Sequence, residues 1–164
     1  MSVLAVVLAA GASSRMRAPK ALLRLRDGRT LLRAHLDALA GLEVRVVQGR
    51  WALPVPAVHN PDWATTGMVE SLSLAIRGSQ HPRILVTPVD AAPVDPADLE
   101  RLLATPGAAA LSWRGQNGHP IVVPRDAIRP PRPLNRLRFT SVEATSARVL
   151  VDLDTPERWR AFSS

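Results

Sequence analysis

Val3-Leu4-Ala5-Val6-Val7-Leu8-Ala9-Ala10-Gly11-Ala12-Ser13-Ser14-Arg15-Met16-Arg17-Ala18-Pro19-Lys20 decides the reading of this chain. The apolar run at 3–8 reads as a buried strand, and small residues leave its carboxyl end. A loop of that composition brings backbone N–H groups close to an anion, because no side chain holds the ligand away. Arg15 and Lys20 then add two positive charges. The combination suits a polyphosphate, although it is neither the GxxxxGK[ST] of a P-loop nor the GxGxxG of a dinucleotide fold.

Lys20 is the single lysine among 21 basic residues; the other cations are arginines. A lone ammonium beside a small-residue loop is a compact point charge on a flexible stem, where arginine would offer a planar fork. The alternative is a solvated lysine after a turn proline.

Outward from this loop, the apolar run at 21–25 ends at the turn Asp27-Gly28, and Thr30 is placed to cap a helix over 31–39. Leu31, Leu32, His35, Leu36 and Leu39 share one face of it, which makes His35 a packed histidine rather than a ligand. Gly41 closes the helix and 44–47 is a β-branched strand, so the opening unit is βαβ and the sheet is parallel. A short edge strand at 55–58 lies among prolines. A loop containing Trp63 runs into a helix with Met68, Leu72 and Ala75 at core spacing.

A second buried strand, 83–87, leads to Pro88-Val89-Asp90. A carboxylate beyond the carboxyl end of a parallel strand points into the crevice where open α/β sheets bind ligands, which suits Asp90 to a metal. Asp95-Pro96 supplies a separate start for a helix at 96–103. Strands follow at 108–113 and 121–123, with His119 in the turn between them. Residues 126–139 show no period, and their prolines forbid a regular helix. That segment reads as a loop or lid, and Arg132, Arg136 and Arg138 either meet an anionic acceptor or are solvated. Residues 147–153 read as a strand entering a helix that starts at Thr155-Pro156.

Leu8-Ala9-Ala10-Gly11-x-Ser13-Ser14-Arg15-Met16-x-x-Pro19-Lys20 resembles the LAAGxSSRMGxPK signature of nucleotidyltransferases related to the molybdenum cofactor cytidylyl- and guanylyltransferases, departing from it at Arg17. The segment from Asn60 to Leu72 resembles NxxWxxGMxxSL of the same family, Gly118-His119-Pro120 its GHP, and Asp152 to Glu157 its DxDTPED. Ala92 stands where relatives carry proline. The resemblance implies a three-layer, Rossmann-like α/β domain of the GT-A-like nucleotidyltransferase kind, with a mostly parallel central sheet. It further implies attack by a phosphorylated acceptor, such as molybdopterin cofactor, on the α-phosphorus of a nucleoside triphosphate, CTP rather than GTP, with pyrophosphate leaving and Mg²⁺ as cofactor.

Carried over residue by residue, Arg15, Lys20 and Asp90 become catalytic residues. Leu8, Ala9, Ala10, Gly11, Ser13, Gly67 and Ser71 become nucleotide contacts, and His119 an acceptor contact. Asp90 and Asp152 become the metal ligands. Asp154 could serve as well as Asp152, but supporting the helix start gives it another task. A sugar or polyol phosphate acceptor, or a nucleotide-binding module of weak turnover, are the competing readings.

Composition bounds the rest. At 164 residues and 46% hydrophobic, the chain reads as one globular domain over 1–164, with no apolar run long enough to span a bilayer. The apolar start lacks the basic region of a secretory signal, and cysteine is absent, so the cytoplasm is the expected compartment. The net charge of +7 fits acidic small molecules, anionic membranes or nucleic acid. Four Trp and two Phe scattered along the chain supply no stacking platform, which argues against nucleic acid.

Overall fold

In the computed structural model, which describes residues 2–11 and 18–163, the alternation of the first strand creates the layers. Side chains of β1 (Val3–Ala9) point alternately to the two faces of the sheet. Val3, Ala5 and Val7 enter one core with Leu31, Leu32, Leu39 and Leu102, while Leu4 and Val6 enter a second with Val69, Leu72, Ala75 and Ile76. The first core lies under α1 (Leu31–Ala38) and α3 (Pro96–Ala104), the second under α2 (Met68–Ala75). Burial on both faces is why 3–8 is apolar without a break.

The remaining strands are β2 (Glu43–Gln48), β3 (Ala57–His59), β4 (Arg83–Pro88), β5 (Ala109–Trp113), β6 (Gln116–Pro124) and β7 (Thr140–Glu143). They form one sheet in the order β3-β2-β1-β4-β6-β5-β7. All neighbours pair in parallel except β6, which runs antiparallel to both β4 and β5. The mostly parallel, layered α/β architecture is therefore present. Because β2 and β4 flank β1, the chain leaves β1 and β4 at a point where the strand order reverses, and a crevice opens beyond their carboxyl ends.

Three segments depart from the expectation. β6 begins at Gln116, so Gly118-His119-Pro120 lies within a strand and not in a turn. The turn is the two residues Arg114 (φ 50°) and Gly115 (φ 83°), both left-handed as a tight hairpin requires. β7 follows the aperiodic segment 126–139, where no strand was expected. Residues 147–150, expected as strand, form a 3-10 turn whose N-cap Ser146 accepts from the Arg148 N–H through its hydroxyl at 3.3 Å. Only a single bridge, Ala91 with Asp152, continues the extended chain before α4 (Pro156–Ser163). Among the described residues no helix is long and apolar enough to cross a membrane.

Candidate active site

The crevice at the ends of β1 and β4 is a cleft of about 270 Å³ whose walls include Leu8, Ala9, Ala10 and Gly11 on one side and Gly67 and Ser71 on the other. Lys20 and Asp90 stand at it. The structure thus brings together six of the seven residues assigned to the nucleotide and two of the three assigned to catalysis. Ser13 and Arg15 lie outside the described residues. A Cβ built at Gly11 would meet nothing within 4 Å among the described residues, and Gly11 lines the cleft.

Local structure fixes each side chain. A 3-10 turn (Lys20–Leu22) follows Pro19, and its buried Ala21 anchors the turn in the core beneath Lys20. Lys20 Nζ donates to Asp154 Oδ1 at 2.9 Å and lies 3.6 Å from Asp90 Oδ2. Asp90 is held from two directions: the Val89 N–H donates to the Leu8 carbonyl at 2.9 Å, and the Leu153 N–H donates to the Asp90 carbonyl at 2.8 Å. The second bond, with the Ala91–Asp152 bridge, draws the C-terminal segment against β4. As a result Asp90, Asp152 and Asp154 each place a carboxylate oxygen within 4.8 Å of the others. Asp152 also pairs with Arg158 at 3.4 Å.

His35 does not touch the cleft, yet it shapes it. It is almost fully buried, and burial pushes its pKa down to about 4, so the ring is neutral. Both partners of Nε2 are carbonyls, Ala91 at 2.9 Å and Val89 at 3.2 Å, so Nε2 carries the proton and clamps both residues that flank Asp90.

Three carboxylates at this spacing cannot all ionise freely. Burial, reinforced by the hydrogen bond and charge of Asp154, pushes Asp90 up to about 6. Asp152 is also raised, mainly by burial. Asp154 goes the other way, to about 2, because Lys20 donates to it. The cluster is a set of hard oxygen donors short of positive charge, and that chemistry fits Mg²⁺ or Mn²⁺. Asp154 was set aside as a helix-start residue, but that task falls to Thr155, whose hydroxyl accepts from the Arg158 N–H at 3.3 Å.

Sequence reading missed three contributors. Asn60 is buried, and its amide donates to Thr66 Oγ1 and Ser71 Oγ, both at 3.0 Å, which holds the far wall of the cleft in place. Gly49 has no room for a side chain: a Cβ would meet the Ala10 carbonyl and lie 2.7 Å from Trp63 Cβ. The third is Met68, which lines this cleft and two neighbouring ones. His119 stands in those two neighbours, one of which also reaches Asp90 and Asp152. The three arginines at 132, 136 and 138 are exposed and line neither of them.

A lysine and a carboxylate cluster beside a cleft of small residues, at the reversal point of a mostly parallel sheet, define an α/β domain of the nucleotidyltransferase type. The chain belongs to the MobA-like NTP transferase family, whose domain matches residues 5–151. No curated protein matches it by sequence. Among solved structures, a nucleotidyl transferase from Methanothermobacter is 26% identical with a TM-score of 0.82, over 99% of this chain and 96% of that one. Rv0371c from Mycobacterium tuberculosis H37Rv is 25% identical with a TM-score of 0.72, over 98% and 97%, and has also been solved with manganese. The CMP:2-keto-3-deoxy-manno-octonic acid synthetase complexed with CTP shares the fold at 16% identity and a TM-score of 0.73, over 98% and 96%.

Proposed function

We propose that this protein is a Mg²⁺-dependent cytidylyltransferase that transfers CMP from CTP to a phosphorylated acceptor and releases pyrophosphate. The observation that carries the reading is the meeting of Lys20 with Asp90, Asp152 and Asp154 at the mouth of the cleft formed by Leu8, Ala9, Ala10 and Gly11. In this reading the small-residue loop receives the triphosphate through its backbone, Arg15 and Lys20 neutralise it, and Ser71 and Gly67 lie toward the base. Asp90 and Asp152 would hold the divalent cation, with Asp154 within reach, and when bound it supplies charge stabilisation of the phosphate oxygens. Displacement at phosphorus asks for fixed geometry and neutralised charge rather than a protein nucleophile. His119 stands on the acceptor side. The preference for CTP over GTP rests on the Gly118-His119-Pro120 resemblance and accords with the CTP complex of the synthetase neighbour.

The test is a thermal-shift panel of the four nucleoside triphosphates with and without Mg²⁺. A ligand at a hundred times its Kd adds about 2.7 kcal/mol of stability. CTP with Mg²⁺ is expected to give the largest shift, and no shift with any triphosphate would overturn the reading.

A further inference from the structure

Beyond Met68 lies a cleft of about 520 Å³ whose character contrasts with the arginine-rich chain around it. Its apolar walls are Met68 and Val69 of α2, Ile121 of β6, and Pro133, Leu134 and Phe139 from the irregular segment. Leu134 is buried in the second core with Phe139 packed against it, so the wall is anchored. Size and lining are those of a small-molecule site.

The cleft adjoins the proposed reaction centre. It shares Gly67 and Met68 with the triphosphate cleft, and Met68, Asn117 and His119 with the cleft that reaches Asp90. Among the described residues Met68 is the exposed large apolar side chain, at 38%, and it stands where the three clefts meet. Such apolar surface is what a ligand body would cover.

Charge narrows the occupant. The chain has 21 lysines and arginines, yet none is among the described residues lining this cleft. Its one charged wall residue, Glu70, is engaged by the Gly67 N–H at 2.9 Å. The polar groups that remain are neutral: Asn135; Asn117, whose Oδ1 accepts from Ser141 Oγ at 2.9 Å; and His119, whose Nδ1 is buried without a partner among the described residues. An anionic body would be desolvated here with no cation among the described lining residues to meet it.

We propose, resting on the cytidylyltransferase reading, that the acceptor is a phosphomonoester with an uncharged, largely apolar body that lies in this cleft. Its phosphate reaches the carboxylate end of the neighbouring cleft, where one oxygen forms a bond to the α-phosphorus of CTP. The bond from that phosphorus to the oxygen bridging to the β-phosphorus breaks, its electron pair leaves with pyrophosphate, and the product is a cytidine diphosphate ester.

Hexyl phosphate and glucose 1-phosphate are the probes, titrated calorimetrically into protein saturated with Mg²⁺ and α,β-methylene-CTP. Hexyl phosphate is expected to bind at least about tenfold more tightly, the gain of burying a few methylene groups. Leu134→Asp, and Pro133→Asp at the exposed rim in case the first fails to fold, should each abolish that preference while the CTP analogue still binds. Equal affinity for the two phosphates, a preference for glucose 1-phosphate, or a hexyl phosphate affinity unchanged in both variants would overturn the apolar acceptor. Failure of the CTP analogue to bind the unmodified protein would instead overturn the reading beneath it.

Discussion

Lys20 occupies the position among the carboxylates that a divalent cation would seek, so ammonium and metal compete for the same oxygens. Lys20→Ala is therefore expected to tighten Mn²⁺ binding to the nucleotide-free protein, read as free Mn²⁺ by electron paramagnetic resonance. The same change should lower turnover by about 3–4 kcal/mol, some 10²- to 10³-fold, since a charge aimed at developing phosphate charge is worth that much. Weaker Mn²⁺ binding in the variant would contradict the competition. Asp90 can be tested through pH. Its native pKa of about 6 exceeds the ordinary 3.8, so the native state binds more protons, and stability falls as pH rises through 3.8–6. At neutral pH the deficit is about 1–3 kcal/mol. Asp90→Asn should thus raise the Tm of the metal-free protein at pH 7.5, with a gain that shrinks on acidification. His35 works in the opposite sense: its native pKa of about 4 lies below 6.5, so its share of stability is full above 6.5 and lost as pH falls toward 4. With Asp90's opposing contribution removed, the variant should lose stability more steeply in acid than the parent, and parallel curves would refute the assignment. Lys20 and Asp90 were legible because one is a unique residue type and the other ends a buried strand. Asn60 was not, since its role exists only once Thr66 and Ser71 fold back onto it.

Elements with a dense apolar signal were readable and those made by pairing were not. The period over 31–39 and the runs at 3–8 and 83–87 became α1, β1 and β4 within a residue or two. β7, Thr140-Ser141-Val142-Glu143, offers one apolar residue and is a strand because it pairs with β5 at the sheet edge. The first half of β6 looks like a turn because its residues are polar, yet the Arg114-Gly115 hairpin sets it beside β5. The apolar residues of 147–150 mimic a strand, but Gly118 receives them as a turn: a Cβ there would run into the Val149 carbonyl. Two glycines separate packing from binding. Gly118→Ala should cost about 1–3 kcal/mol through overpacking and weaken metal binding by displacing the segment that leads to Asp152. Gly11→Ala should leave the Tm unchanged and weaken CTP binding, because the added methyl meets no described residue and Gly11 lines the cleft. Melting curves with and without CTP distinguish the two, and a destabilised Gly11→Ala would show that this glycine serves packing.

At the scale of the molecule, the proposed function puts the nucleotide on the parallel half of the sheet and the acceptor on the side of the antiparallel β6. The 3-10 turn after Pro19 and the chain leaving β4 bring Lys20 and Asp90 to the reversal point. β6 carries Asn117 and His119 across to the second cleft, which the irregular segment walls with Pro133, Leu134 and Phe139. The division predicts that nucleotide binding and acceptor choice vary independently. The most direct measurement of the whole account is pyrophosphate release from CTP and Mg²⁺ in the presence of a panel of phosphomonoesters, with the nucleotide product followed by a label on the α-phosphorus. The account predicts one pyrophosphate for each labelled cytidine diphosphate ester, and loss of both in Lys20→Ala and Asp90→Asn. Binding of CTP with no pyrophosphate from any acceptor, or release undiminished in Lys20→Ala, would contradict it.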